Sequence, residues 1–368
     1  MKLGFFIMPV HPPARNYAQT LREDREAFML AEQLGYSEAF CGEHLTDLAE
    51  NIPNSLTFLA SLAGFTSRIK LGTAVTNLPF SHPVLVATQV ALVDNLLQGR
   101  LLLGVGAGVL RSDAEALGLL DADRGAMFVE ALDQILALWS GGPPYDLPGK
   151  YWTVSTVKTV WPEIGLGGIV KPYQKPHPPI LGTATDPRSK GLIALGRRGF
   201  WPISSHFLHQ DHLLSQWDNY AKGCADGGHK AERANWRIAR SIFVADDDKV
   251  ARAYGGDDPG SPYRFYMSQL IAKLRRGKRL AGFKARPEMS DDEVTFDYIF
   301  DNLVIRGSVN QVVDALLALC EKVGDFGTLL YCGKDWADPA LSRRSMELMA
   351  EKVMPAVNAA IGKRAAAE

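Results

Sequence analysis

A chain of 368 residues with 46% apolar content can bury a full-sized core, and it is long for one domain unless that domain is a barrel. Lysine plus arginine number 40 against 41 acidic residues, a formal charge of −1, so no overall field draws nucleic acid or an anionic membrane. No apolar run approaches the roughly 20 residues that cross a bilayer, and residues 1–8 read as a first strand because Pro9 and Pro12 follow before any cleavage pattern. The widely spaced Cys41, Cys224, Cys320 and Cys332, with no CxxC among them, read as thiols of a reducing compartment, and a soluble, cytoplasmic protein is expected.

Residues 3–8 form an apolar run closed by Pro9, and residues 17–34 carry apolar positions at helical spacing ahead of Gly35. Residues 37–41 predict a second strand ending at Gly42-Glu43-His44; residues 54–65 predict a helix begun by Pro53 or Asn54. Apolar runs at 69–75 and 101–105 flank an amphipathic segment at 84–97, the pattern of a strand–helix–strand unit in a parallel sheet. Both runs end in small or polar residues, 73–77 and 104–108, at the carboxyl end of the sheet, where such folds bind ligands. Asp123 can cap a helix that reaches Trp139.

Periodicity breaks over 140–178, which predicts an excursion over one end of the sheet. The strand-to-loop pattern resumes before Thr183, with a helix at 189–197, a short strand at 200–204, a helix at 211–224 and a long strand at 236–245. The charged stretch 249–301 fits no strand–helix unit and predicts an inserted, partly helical lid or bracket. Strands at 303–305 and 328–331 and helices at 309–320 and 339–354 bring the count to about eight units, which favours a (β/α)8 TIM barrel within the α/β class over an open sheet. One domain over 1–361 is expected, with a flexible tail at 362–368.

Gly104-Val-Gly-Ala-Gly108 lacks the GxGxxG spacing of a dinucleotide loop, and no GxxxxGK[ST] occurs. These glycines let a strand end approach a ligand closely, or permit a tight turn. His44 follows a strand end, where an imidazole can transfer protons near neutrality. His206, His209 and His212 near Asp211 lack HExxH spacing and spread around a helix start, so no metal site is expected. The basic run at 273–279 lacks aromatic interleaving and reads as a solvated face or part of the lid. The loop from Thr183 through Thr185 and Arg188 to Ser189 offers hydroxyls, a guanidinium and amides at a helix start; it is a phosphate cradle, or only an N-cap from Asp186 or Ser189.

In their combined order, residues 3–6, 42–44, 70–75, 81–84 with Gln89, 99–106, Asp113 with Gly118, 124–130 and 183–199 resemble the bacterial luciferase-like flavin-dependent monooxygenases, and most of all the diketocamphane-type, FMN-using members. The resemblance implies a (β/α)8 barrel with an insertion before the last strand–helix units. It also implies reduced FMN delivered by a separate flavin reductase. His44 falls on the family's active-site histidine and Asp113 on an acidic residue that orders the site. Ala74 and Val75 fall on a bulge supporting the flavin, often with a non-prolyl cis bond; Thr76 and Gly106 adjoin it, and Thr183, Thr185, Arg188 and Ser189 lie in the phosphate region. Where luciferase holds the phosphate with an arginine this chain has Ala107, which leaves Arg188 or Arg306 to neutralise it.

The expected activity is insertion of one oxygen atom from O2 into a small neutral organic substrate, Baeyer–Villiger oxygenation of a ketone being the most specific version. Alternatives are an F420-dependent oxidoreductase of the same barrel and a non-catalytic flavin-binding scaffold. Phe5, Phe6, Trp152, Trp161, Trp201 and Phe207 are expected to supply an apolar wall with no cluster of cations near it. Leu56, Phe58, Leu59, Leu62, Val86, Val90 and Val93 exceed one inward stripe, and a homodimer through them is expected.

Overall fold

The strands of the computed structural model, which describes residues 1–365, alternate with helices from the first residues onward. They are β1 (Lys2–Ile7), β2 (Glu38–Cys41), β3 (Lys70–Thr73), β4 (Thr76–Asn77), β5 (Leu101–Gly106), β6 (Asp146–Leu147), β7 (Val154–Ser155), β8 (Ile180–Ala184), β9 (Trp201–Ser204), β10 (Arg237–Val244), β11 (Val304–Gly307) and β12 (Thr328–Cys332). Two compact units are built from them, one of Met1–Phe40 with the chain from Gly182 onward, the other of Cys41–Leu181. The chain passes from unit to unit within β2 and within β8.

In the first unit β10 is the hub, because all eight of its residues are buried. Eight residues give it length for several parallel partners: Arg237–Ser241 pair with β12, Arg237 and Ile238 with β9, and Ser241–Val244 with β11. Strand β12 in turn pairs with β1. Eight strands, β1, β2, β3, β5, β8, β9, β10 and β12, are those of the expected (β/α)8 class. Strand β11, counted from sequence as one of the eight, is a ninth that extends the carboxyl half of β10. A ladder only four residues long at one end of a strand cannot be told from a barrel strand by periodicity. Between β10 and β11 lies the insertion, with helices Asp248–Arg252, Pro262–Arg276 and Phe296–Asn302. Deep in this unit Arg237 donates to both carboxylate oxygens of Glu38, at 2.8 and 3.0 Å, so neither buried charge is left uncompensated. The last helix runs Met354–Ala365, which makes 362–365 helical; the remainder of the tail expected at 362–368 lies outside the described residues.

The second unit pairs β5 in parallel with β3, β4 and β8. Its excursion contains the antiparallel hairpin β6–β7, pinned by Glu130, which accepts from the amides of Lys150, Tyr151 and Trp152. The helix expected over 54–65 starts at the Asn54 cap but ends at Ala60. Beyond it the Ser61 hydroxyl takes the Phe58 carbonyl, and such a bond competes with the helical ladder. All seven residues expected at a dimer surface, Leu56, Phe58, Leu59, Leu62, Val86, Val90 and Val93, are buried within the chain, which removes them from any such surface. The exposed apolar side chains of this region are Phe65, Leu85, Leu92 and Leu96.

The glycine run has a packing role. A Cβ on Gly104 would lie 2.0 Å from the Thr73 carbonyl oxygen, and one on Gly106 would lie 2.4 Å from a Val75 methyl. Gly108 has φ +75° with the Phe80 ring against it. Backbone therefore meets backbone at Gly104, and the contact is sealed by the Thr73 hydroxyl donating to the Gly104 carbonyl at 2.7 Å. Gly104→Ala is expected to lower stability by about 1–3 kcal/mol or more, the range for overpacking, by displacing residues 73–76. A Tm within a degree or so of the wild type would show that the approach is dispensable.

Candidate active site

Two strand ends in the second unit converge on His44. Strand β2 stops at Cys41, and the His44 amide then bonds the Ile52 carbonyl at 3.1 Å, closing a loop of intervening residues. Inside that loop Asp47 accepts from the amides of Ala49 and Glu50, a local turn that places the Glu50 carboxylate 3.1 Å from His44 Nε2. From the other side comes Asp113, on the helix Arg111–Ala116 that follows β5. Its Oδ2 lies 2.9 Å from His44 Nδ1, while Oδ1 accepts from the Leu45 amide, the Thr46 amide and the Thr46 hydroxyl at 3.1, 2.8 and 2.6 Å. Asp113 is 1% exposed and sits in the first turn of its helix, where the dipole favours an anion.

These contacts set the charge of the imidazole. Burial pushes its pKa down, but Glu50 and Asp113 together outweigh burial and raise it from 6.5 to about 10. Burial likewise pushes the Asp113 carboxyl up, and the bonds from His44 and Thr46 more than reverse this, holding it below its ordinary value. His44 is thus an imidazolium at neutral pH, with Nδ1 donating to Asp113 and Nε2 ion-paired with Glu50 at 3.1 Å.

Glu43 points away from its neighbour, as adjacent residues at a strand end do. It accepts from the Ser55 amide and hydroxyl at 2.9 and 2.6 Å and from the Asn77 amide at 3.0 Å. Burial raises its carboxyl, and the bonds from Ser55 and Asn77 offset part of that rise. One carboxylate thereby joins the loop after β2, the start of the helix Ser55–Ala60 and strand β4.

Between β3 and β4 the Ala74–Val75 peptide is cis, the non-prolyl cis bond that the resemblance implied. The Ala74 amide bonds the Cys41 carbonyl at 2.8 Å, and Thr76 and Asn77 pair with Val105 and Gly106. His44, Asp113, Ala74, Val75, Thr76 and Gly106 all lie in the second unit. Glu50 is a site residue that the sequence reading missed, since only the loop closure brings it back to the imidazole.

Thr183, Thr185, Arg188 and Ser189 belong to the first unit, at the end of β8 and just beyond. The Thr183 hydroxyl is buried without a hydrogen-bond partner among the described residues. Arg279 donates to the Thr185 hydroxyl at 3.0 Å and to Asp186 at 3.2 Å. This guanidinium comes from the basic run at 273–279, expected as a solvated face or part of the lid, and lies in the inserted segment. Arg188 is exposed with φ +50°. Neither Asp186 nor Ser189 caps the next helix, Gly191–Arg197: its N-cap is Lys190, with no side-chain bond. Arg306, the other candidate for a phosphate, is paired with Asp257 at 2.7 Å. The three histidines of the sequence reading also part company. His206 bonds the Tyr266 hydroxyl, His209 caps a short turn, and His212 bonds the Lys284 carbonyl.

The luciferase-like monooxygenase family model matches residues 1–325. Along 98% of its length the chain is 32% identical to 4-hydroxyprotoasukamycin monooxygenase of Streptomyces nodosus subsp. asukaensis, of which 93% is covered. It is 27% identical to 3,6-diketocamphane 1,6-monooxygenase of Pseudomonas putida, covering 97% of this chain and 98% of that one. The solved oxygenating constituent of 3,6-diketocamphane monooxygenase from Pseudomonas putida, described as a type II Baeyer–Villiger monooxygenase in complex with FMN, superposes with a TM-score of 0.86 at 27% identity over 96% of this chain and 98% of that one. The fold is a (β/α)8 barrel of that type. The chain belongs to the luciferase-like monooxygenase family.

A charged His44 has a consequence for stability against pH. Its folded pKa of about 10 lies above the ordinary 6.5, so its contribution is complete below about pH 6.5 and is lost as pH rises towards 10. The Tm difference between the wild type and His44→Gln should shrink steadily across that window. A difference that stays flat or grows there would show that His44 is not charged in the folded protein.

Proposed function

We propose that the protein is the oxygenase of a two-component system, which binds reduced FMN supplied by a separate reductase and uses O2 to insert one oxygen atom into a small organic substrate. Family membership supports the class, and the observation that carries the chemistry is the imidazolium of His44, held at both nitrogens by carboxylates in the unit that contains the cis bulge. Baeyer–Villiger conversion of a ketone is the most specific form of this reading, since one relative is described in those words.

The residues present fit the cofactor. Ala74, Val75, Thr76 and Gly106 offer a backbone surface of small side chains against which a planar ring can lie. Taken by itself, the first unit offers the orphaned Thr183 hydroxyl, Thr185, Ser189, Arg188 and Arg279, residue types suited to a phosphate. Bound reduced flavin supplies the two electrons that O2 takes up.

His44 does the proton work. Asp113 fixes the ring through Nδ1 and is itself fixed by Leu45 and Thr46, so Nδ1 orients and Nε2 delivers. Glu50 holds the Nε2 proton until an acceptor replaces it, and it leaves the imidazole a donor at neutral pH. Glu43 is a positioning residue: it holds the bulge through Asn77 and touches no reacting atom.

Anaerobic titration with reduced FMN and with reduced F420, followed by oxygen, tests the reading. Tighter binding of FMN and oxygen-dependent product are expected; preference for F420 would point to hydride transfer, and binding of neither to a scaffold. His44→Ala should keep its circular dichroism and its FMN affinity, lose about 10²–10⁴-fold in product formation, and release more hydrogen peroxide per reduced flavin. Near-wild-type coupling in the folded variant would overturn the role given to His44.

A further inference from the structure

A cavity of about 310 Å³ lies in the first unit, with β10 and β11 on one side and the helix Val309–Val323 on the other. The sequence of that helix explains the space. Val312, Leu316, Leu319 and Val323 are its buried stripe, at the spacing that holds a helix against its neighbours. The adjoining row is Gln311, Ala315 and Ala318, all of which line the cavity; two of the three stop at Cβ, so the helix does not fill the gap. Leu208, after β9, and Phe300, near the end of the inserted helix Phe296–Asn302, add further walls. Gln311 and Ala318 are exposed and mark the open side, whereas Arg240 of β10, which also lines the cavity, is 5% exposed.

Arg240 brings a cation whose bonding is incomplete. Its Nη1 donates to the carbonyls of Ala239, Leu208 and Ser205 at 3.0, 3.2 and 3.4 Å, which fixes the guanidinium against the loop after β9. Its Nη2 is buried and has no hydrogen-bond partner among the described residues. Burial holds its pKa below the ordinary value, at about 10, so it is charged at neutral pH. The other two arginines that line the cavity have acids of their own. Arg306 pairs with Asp257 at 2.7 Å and with Asp301 at 3.9 Å, and Arg252 pairs with Asp248 at 3.2 Å. Among the described residues no carboxylate pairs with Arg240. A buried cation with neither a counter-ion nor a full set of acceptors is costly, and a carboxylate supplies both.

We propose that this cavity is a binding site for a small organic carboxylate, with the charged group at Arg240 and a short carbon chain against Leu208, Ala315 and Ala318. A guanidinium with a free N–H edge is matched to a carboxylate in shape as well as in charge. The volume is at the lower end of the range for small-molecule sites. Inorganic phosphate would answer the charge but leave Leu208, Phe300 and Val304 uncovered, which favours an anion that carries carbon. None of Thr183, Thr185, Arg188, Ser189 and Arg279, the residue types suited to the flavin phosphate, lines this cavity. The site therefore stands whether or not the protein is a monooxygenase, and an anion that binds there stabilises the folded chain by mass action.

Hexanoate and hexanamide, nearly equal in shape and different in charge, are the probes, titrated calorimetrically into the full chain with and without FMN, alongside inorganic phosphate. Hexanoate should bind about 10–100-fold more tightly than hexanamide, the range for hydrogen bonds to a charged group, and it should raise the Tm. Ala315→Leu, which fills the cavity and removes no polar group, should abolish hexanoate binding at a Tm no lower than the wild type's. Arg240→Met should make the two probes equal; if that variant does not fold, Ala315→Leu decides. Equal binding of the two probes to the wild type, or binding of neither, would overturn the proposal and leave only water beside Arg240. Phosphate bound more tightly than hexanoate would overturn the assignment to a carbon-bearing anion. A hexanoate preference that survives Ala315→Leu would place the anion elsewhere and overturn it as well. Displacement of hexanoate by FMN, together with loss of FMN affinity in Ala315→Leu, would give the cavity to the cofactor and defeat the proposal.

Discussion

An imidazole held between two carboxylates is the interaction on which the chemistry depends. Removing His44 from water opposes its charge, and only the combined pull of Glu50 and Asp113 reverses the sign and leaves it protonated. Neither acid is held by the histidine alone. Asp113 accepts three bonds from residues 45 and 46, and Glu50 is brought to Nε2 by the loop that the His44 amide closes on Ile52. The ring therefore has one fixed nitrogen and one whose partner a ligand can replace, an asymmetry that suits proton delivery.

Behind this pair stands a scaffold whose tolerances are steric. Gly104 lets β5 approach the Thr73 carbonyl, and Glu43 ties Asn77 to Ser55 across a buried gap. The cis peptide at Ala74–Val75 lies between those two constraints. The two carboxylates of Glu43 and Asp113 thus divide the labour: one holds the bulge, the other holds the imidazole of His44.

Much of this was legible in the sequence, and the failures share a cause. His44 and Asp113 stand where strand ends and loop starts are marked by local residue type, so alternation and turn signals locate them. Glu50 and Arg279 reach their places through loop closure and the turn after an inserted helix, which leave no period or motif to read. The helix at 55–60 was read too long because a side-chain bond from Ser61, invisible to periodicity, ends it. Strand β11 was counted as a barrel strand because a strand extending half of another has the same apolar signature as one in the ring. The cations acting on His206 were missed because Arg240 and Lys334 come from separate strand–loop units.

The two histidine environments have opposite electrostatic signs: His44 is ringed by acids, whereas His206 is held neutral by burial and by the positive charges of Lys334 and Arg240. The most direct test of the central claim is the protonation state of His44, read by nitrogen NMR on histidine-labelled protein with His44→Gln as the assignment control. Both ring nitrogens should show protonated shifts at pH 8, with the titration centred near 10. A neutral tautomer at pH 8, titrating near the ordinary 6.5, would contradict the account.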